Sequence, residues 1–154
     1  MSDCCTTGTK ERISEKSVYE FCPSCKVKGK KLKIITLKSM LKPLVLDSLN
    51  PDLVHFFCAT EDCGVVYFDE HKKTFSTSEI KVPVYQKEGS LTVPICYCFE
   101  WTRDKINKYV EDGLSSKPLD HIRQNVKANR CGCDVNNPQG SCCMGNITKY
   151  IKNL

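Results

Sequence analysis

Twelve cysteines in 154 residues limit what this chain can fold around. They are clustered: Cys4-Cys5, Cys22-Pro23-Ser24-Cys25, Cys58 and Cys63, Cys96-Tyr97-Cys98, Cys131-Gly132-Cys133 and Cys142-Cys143. Such density means either a disulfide framework in a secreted protein or thiolate ligands in a reducing compartment. Residues Met1 to Gly8 carry no basic stretch followed by an apolar run, so no signal peptide is read there. No apolar run approaches the roughly 20 residues of a membrane span. The expectation is a cytoplasmic protein, without membrane insertion, whose cysteines bind metal.

The first two pairs, Cys22 with Cys25 and Cys58 with Cys63, can each grip one metal from a single turn. The stretch between them is long enough to bring the pairs together. Zinc suits four thiolates: it is tetrahedral, redox-silent and closed to substrate at such sites. Cys22, Cys25, Cys58 and Cys63 are therefore the expected zinc ligands, with a structural role, because metal binding supplies folding free energy to a small domain. Two pairs beside β-rich segments argue against a set of buried, unligated thiols. His55 and His71 are possible substitutes, but a strand would turn His55 away from Phe56 and Cys58, toward solvent or the other sheet face.

The remaining pairs flank a helical stretch. Cys96-Tyr97-Cys98 offers two thiolates from one loop, a bite suited to one iron, and a second pair across the helices would take the other iron of a [2Fe-2S] cluster. A second four-thiolate zinc site would use the same residues, and spacing leaves both readings open.

Between the clusters the chain is β-rich, then α-rich. Residues 1–17 read as a flexible polar tail. Leu32 to Leu37 alternates like a strand, Ser39 to Leu49 suits a short helix interrupted or started by Pro43, and Val54 to Phe57 and Val65 to Phe68 read as strands. Ser78 to Tyr85 predicts one more strand, at a sheet edge because of Pro83. Gln86 to Ser90 is the linker candidate. Beyond it Thr102 caps a helix closed by Gly113, Pro118 opens a second in its first turn, and a third starts near Ser141. The predicted class is α+β: a flexible tail (1–17), a small β-rich zinc-knuckle domain (18–88) and a small helical [2Fe-2S] domain (91–154).

Particular runs resemble a known family. Cys96-Tyr97-Cys98-Phe99 followed by Asn137-Pro138-Gln139-Gly140-Ser141-Cys142-Cys143 resembles the iron–sulfur domain of the CopZ-type copper chaperones, itself similar to bacterioferritin-associated ferredoxin. Cys22-Pro23-Ser24-Cys25 and Cys58 to Phe68 resemble the zinc domain that precedes it. The resemblance covers about residues 18 to 152. It implies cluster ligands Cys96, Cys98, Cys133 and Cys143. Cys133 is chosen by its distance from Asn137, while the gap after Cys98 favours Cys131. It also implies copper binding and reduction of Cu(II) to Cu(I), with a copper ion and a copper-transporting ATPase or redox protein as partners. The Met-x-Cys-x-x-Cys copper loop of that family's heavy-metal-associated domain is not found in these residues.

The formal charge of +5 counts every cysteine as neutral. A tetrathiolate zinc and a [2Fe-2S] cluster each carry about −2, which leaves about +1. The lysine run Lys26, Lys28, Lys30, Lys31 and Lys33 would otherwise speak for a zinc-ribbon nucleic-acid binder, but a solvated strand edge explains it equally. No Ser/His/Asp grouping, phosphate loop or open His-rich site points to an enzyme. The leading expectation is a copper-handling metallochaperone-like protein, with a small [2Fe-2S] electron carrier as the alternative. Soft Cu(I) would suit the thiols left over, Cys4, Cys5, Cys131 and Cys142.

Overall fold

A computed structural model describes residues 18–154, so Cys4 and Cys5 lie outside the described residues. Its first half is a four-stranded antiparallel sheet in the order β1 (Lys30–Leu32), β2 (His55–Phe57), β3 (Val65–Asp69) and β4 (Thr74–Ser76). Alternation along the strands divides the sheet into two faces. Phe56 pairs with Phe68 in register, and their rings stack at 5.3 Å on the face that carries the cysteines. Phe57 pairs with Tyr67 on the opposite face, in the core with Leu37, Met40, Leu41, Phe75, Ile80 and Val84. Gly29 permits close approach: a Cβ there would lie 2.5 Å from the Phe68 ring and 2.9 Å from Phe56.

The stretch after β1 is not the expected strand. Ile34–Met40 forms helix α1, despite three β-branched residues at its start. Burial decides the matter: Thr36, Leu37, Met40 and Leu41 recur at helical spacing and all face inward. Pro43 starts the next short helix, α2 (Pro43–Leu46), where its missing N–H costs nothing. The predicted strand over Ser78 to Tyr85 is instead a 3₁₀ turn (Thr77–Glu79) and a single bridge between Leu41 and Ile80. Ile80 and Val84 still bury into the core, and that burial produced the apolar pattern.

The second half opens with a two-stranded hairpin, β5 (Pro94–Cys96) and β6 (Trp101–Thr102). Helices α3 (Arg103–Glu111), α4 (Lys117–Lys127), α5 (Cys133–Asn136) and α6 (Met144–Lys152) follow. Thr102 caps α3 by accepting from the Lys105 N–H. Gly113, at φ 75°, ends it with the paired bonds Leu114 N–H to Tyr109 O and Gly113 N–H to Val110 O. Asn129, at φ 58°, ends α4 in the same way. The core here is Ile95, Trp101, Ile106, Ile122 and Ile147, with Cys96 and Cys143 inside it. The fold is α+β, as expected: a small sheet with a cysteine cluster, then helices. Among the described residues no helix is long and apolar enough to cross a membrane.

The halves are packed together along the segment Asn137 to Ser141. The Tyr67 hydroxyl donates to the Pro138 carbonyl at 2.6 Å, and the Thr36 hydroxyl donates to the Asp134 carbonyl at 2.6 Å. Gly140, at φ 69°, passes so close to α1 that a Cβ would meet Leu32 at 2.8 Å and Thr36 at 2.9 Å. The Gln86 amide donates to Gln139, whose own amide binds the carbonyls of Ser141 and Cys142.

Candidate metal centres

The first centre is built by two tight turns. Cys22 N–H donates to Val27 O and Lys26 N–H returns to Cys22 O, with Lys26 at φ 63°, which folds Cys22 and Cys25 toward each other. Opposite, Cys58 N–H is tied to Val66 O, and Cys63 N–H closes onto Thr60 O. The sulfurs of Cys22, Cys25, Cys58 and Cys63 all lie within 4.8 Å of one another. Cys22 and Cys63 are 3.8 Å apart, and Cys25 and Cys58 are 3.6 Å apart. A regular tetrahedron with Zn–S bonds near 2.3 Å has edges of about 3.8 Å. The donor set therefore fits zinc in number, type and size.

Crowding these thiols perturbs them in opposite directions. Burial pushes Cys22 up to about 12, against hydrogen bonds from the Cys25 and Ser24 backbone. Burial acts to raise Cys25 too, but the Thr60 hydroxyl, the Val27 backbone and the neighbouring thiols outweigh it and bring it down to about 6. A cation shared by the four sulfurs would replace these protons.

The second set of thiols is arranged differently. Cys98 and Cys133 approach to 3.7 Å, while Cys96 hydrogen-bonds with Cys143 in the core. The sulfurs thus pair across the C-x-C motif rather than within it, because Cys96 ends β5 and is buried while Cys98 lies in the half-buried hairpin turn. Cys98 receives the Gly132 N–H at 3.3 Å and the Asn136 amide at 3.6 Å. Cys96 is drawn down to about 7, first by Cys143, against burial, and then by the Phe99, Cys98 and Trp101 backbone. Cys143 rises through the same bond. Burial and then the Cys98 charge push Cys133 up to about 12.

Each sequence-predicted ligand is thereby located. It is Cys133 whose sulfur meets Cys98, and Cys143, the residue capping α6, lies in the core while its neighbour Cys142 is exposed. His55 faces away from the first cysteine site but is buried rather than solvated, with Nε2 unpartnered. His121 is exposed, and its Nδ1 accepts the Trp101 indole N–H at 3.0 Å. The sequence reading missed Lys87, whose ammonium reaches Cys58 Sγ at 3.4 Å, since nothing local marks a lysine for a site reached from a distant linker. The lysine run is partly engaged: Lys30 donates to Ser141 Oγ, and Lys28 pairs with Glu20 at 3.2 Å.

Fold and first site together define a cysteine-rich metal-binding protein with a tetrathiolate zinc knuckle on a small sheet. Residues 19–81 match a family model described as "Zinc binding domain", zf_CopZ. The copper chaperone CopZ of Archaeoglobus fulgidus is 31% identical over 122 residues, 79% of this chain and 57% of that protein. The chain thus spans little more than half the length of that relative. The X-ray structure of the Archaeoglobus fulgidus CopZ N-terminal domain aligns with a TM-score of 0.71 at 28% identity, covering 84% of this chain and 95% of that one. Residues 19–81 thus match a CopZ-type zinc-binding domain, and the chain is similar in sequence and fold to the CopZ N-terminal domain.

Proposed function

We propose that this chain is a cytoplasmic, non-enzymatic metallochaperone-like protein that holds zinc at Cys22, Cys25, Cys58 and Cys63 and a [2Fe-2S] cluster at Cys96, Cys98, Cys133 and Cys143. On this reading the chain divides at the Gln86–Ser90 linker into a zinc domain (18–88) and a cluster domain (91–154). It binds copper and supports reduction of Cu(II) to Cu(I), delivering copper to a copper-transporting ATPase or exchanging electrons with a redox protein. The observation that carries the reading is the second thiol set: two sulfur pairs, one with its members 3.7 Å apart, set in a helical unit directly after a CopZ-type zinc domain. Two pairs suit two irons, whereas one zinc wants a single group of four. A bound [2Fe-2S] cluster supplies one electron at a time, the stoichiometry of Cu(II) to Cu(I), and is refilled by a one-electron donor. The chain's own part is to lend N–H groups from Gly132 and Asn136 to Cys98 and to keep Cys96 and Cys143 dry. Copper itself would sit on thiols outside the eight ligands, Cys4, Cys5, Cys131 and Cys142, of which Cys142 is exposed and Cys131 half-buried.

Cu(I) titration of metal-replete protein, with the visible spectrum followed, tests this. Tight Cu(I) binding without loss of zinc or iron, abolished when those four cysteines become serine, is expected. A wild-type protein that takes up Cu(I) only as its cluster falls apart leaves the electron carrier, the reading that the two N–H donors on Cys98 favour.

A further inference from the structure

We propose that Lys87 is a positioning residue of the zinc centre: its ammonium offsets the charge of the Cys58 thiolate, and the second half of the chain holds it there. The inference rests on the zinc reading of the knuckle. Lys87 Nζ lies 3.4 Å from Cys58 Sγ and 2.5 Å from the Thr60 carbonyl. Thr60 belongs to the turn between Cys58 and Cys63, and its hydroxyl meets Cys25 Sγ at 3.3 Å. One side chain therefore braces the turn and one of its sulfurs together.

The chemistry follows from charge. Four thiolates on a divalent cation leave an anionic centre of about −2. An N–H···S bond from an ammonium draws density from the sulfur, making it less nucleophilic and less prone to protonation and release. Among the described residues, the lysine contact on this group of sulfurs falls on Cys58.

Lys87 is placed by contacts from beyond the linker. Its own N–H and that of Glu88 both return to Val84 O, at 2.9 and 3.0 Å. The Tyr97 hydroxyl accepts from Tyr85 N–H at 2.9 Å and donates to Pro83 O at 2.6 Å. The Arg103 guanidinium donates to the carbonyls of Tyr85, Glu88 and Ser90. Tyr97 stands between Cys96 and Cys98, so this strap runs from one thiol set to the other.

The test uses the full chain loaded with zinc. Transfer of zinc to a chromophoric chelator is timed, and alkylation of each cysteine by iodoacetamide is mapped by mass spectrometry. Lys87→Met keeps the stem and removes the charge; it should speed zinc transfer about tenfold and raise alkylation of Cys58 above that of Cys22 and Cys63. Lys87→Arg should restore most of the protection, and Tyr97→Phe, which loosens the strap, should give a smaller acceleration. Wild-type transfer and labelling in Lys87→Met overturns the inference, as does equal acceleration by Lys87→Met and Lys87→Arg, which would reduce the residue to packing. Wild-type protein that purifies without zinc overturns the reading of the site itself, and is told apart by metal analysis before any variant is made.

Discussion

The two thiol sets share a residue type and almost nothing else. Cys22, Cys25, Cys58 and Cys63 hang from backbone turns whose hydrogen bonds are local, and their four sulfurs form one group. Cys96, Cys98, Cys133 and Cys143 come from a hairpin, a helix start and a helix cap, and their sulfurs form pairs. The first arrangement closes around a single ion and leaves no open position, so its natural role is cohesion. The second keeps one pair in the core and the other half-buried beside spare thiols, which suits electron and metal traffic. On the proposed function, the polypeptide would separate stability from reactivity by how it delivers the same ligand.

The sharpest way to break that contrast is to remove a ligand from the closed site. Cys63→Ser should abolish zinc binding and unfold the sheet, since structural zinc carries apparent free energies of about 10 kcal/mol or more. The seam makes the loss spread: without the sheet, Tyr67 and Thr36 release the Pro138 and Asp134 carbonyls, and the segment after Cys133 loses its support. Circular dichroism and zinc analysis should show the unfolding, and visible absorption should show accelerated cluster loss. A folded, coloured Cys63→Ser protein would mean the knuckle is not cohesive.

At the second set, Cys133→Ser should destroy or strongly shift the visible spectrum, while Cys131→Ser should leave it nearly unchanged, because the Cys133 sulfur meets Cys98. Equal damage from both would point to ligand exchange and blur the contrast between a rigid and an adaptable centre.

Some of this was legible in the residues. Ligand pairs within one turn are local, so Cys22 with Cys25 and Cys58 with Cys63 declare themselves by spacing. The helix ends at Gly113 and Pro118 are equally local. What was hidden depends on distant partners. Ile34 to Thr36 read as strand from their own stiffness, yet α1 forms because Leu37, Met40 and Leu41 find a sheet face to cover. The crossed pairing of Cys96 with Cys143 and of Cys98 with Cys133 needs the helices in place before it can be seen. The contact of Tyr67 with Pro138 joins residues that no periodicity connects.

That contact gives a moderate test of the seam between the regions. Tyr67→Phe keeps the ring in the core but leaves the Pro138 carbonyl without its donor, which should cost about 1–3 kcal/mol in urea unfolding. If the regions behave independently, the loss should appear only in the sheet. If the seam couples them, both the zinc-dependent and the cluster-dependent transitions should shift.

The smallest effect expected comes from a histidine of the sheet region. His55, on β2, is buried, and burial holds its pKa below the usual imidazole value near 6.5 despite the Asp69 and Glu70 charges. Its ring donates to the Leu53 carbonyl, so Nε2 is the bare acceptor, and a proton added there would find no partner. With a depressed folded pKa, the unfolded chain binds the proton first. His55 therefore costs nothing above the unfolded value, and stability falls as pH drops below about 6.5, by at most about 1.4 kcal/mol per pH unit. Acid also protonates thiolates and weakens zinc, so the quantity to read is the difference in slope between wild type and His55→Gln over pH 6.5 to 5.5, in zinc-loaded protein. A shallower slope in His55→Gln is expected. Equal slopes in wild type and His55→Gln would assign acid sensitivity to the metal ligands alone, and the buried imidazole would then be inert packing beneath the knuckle.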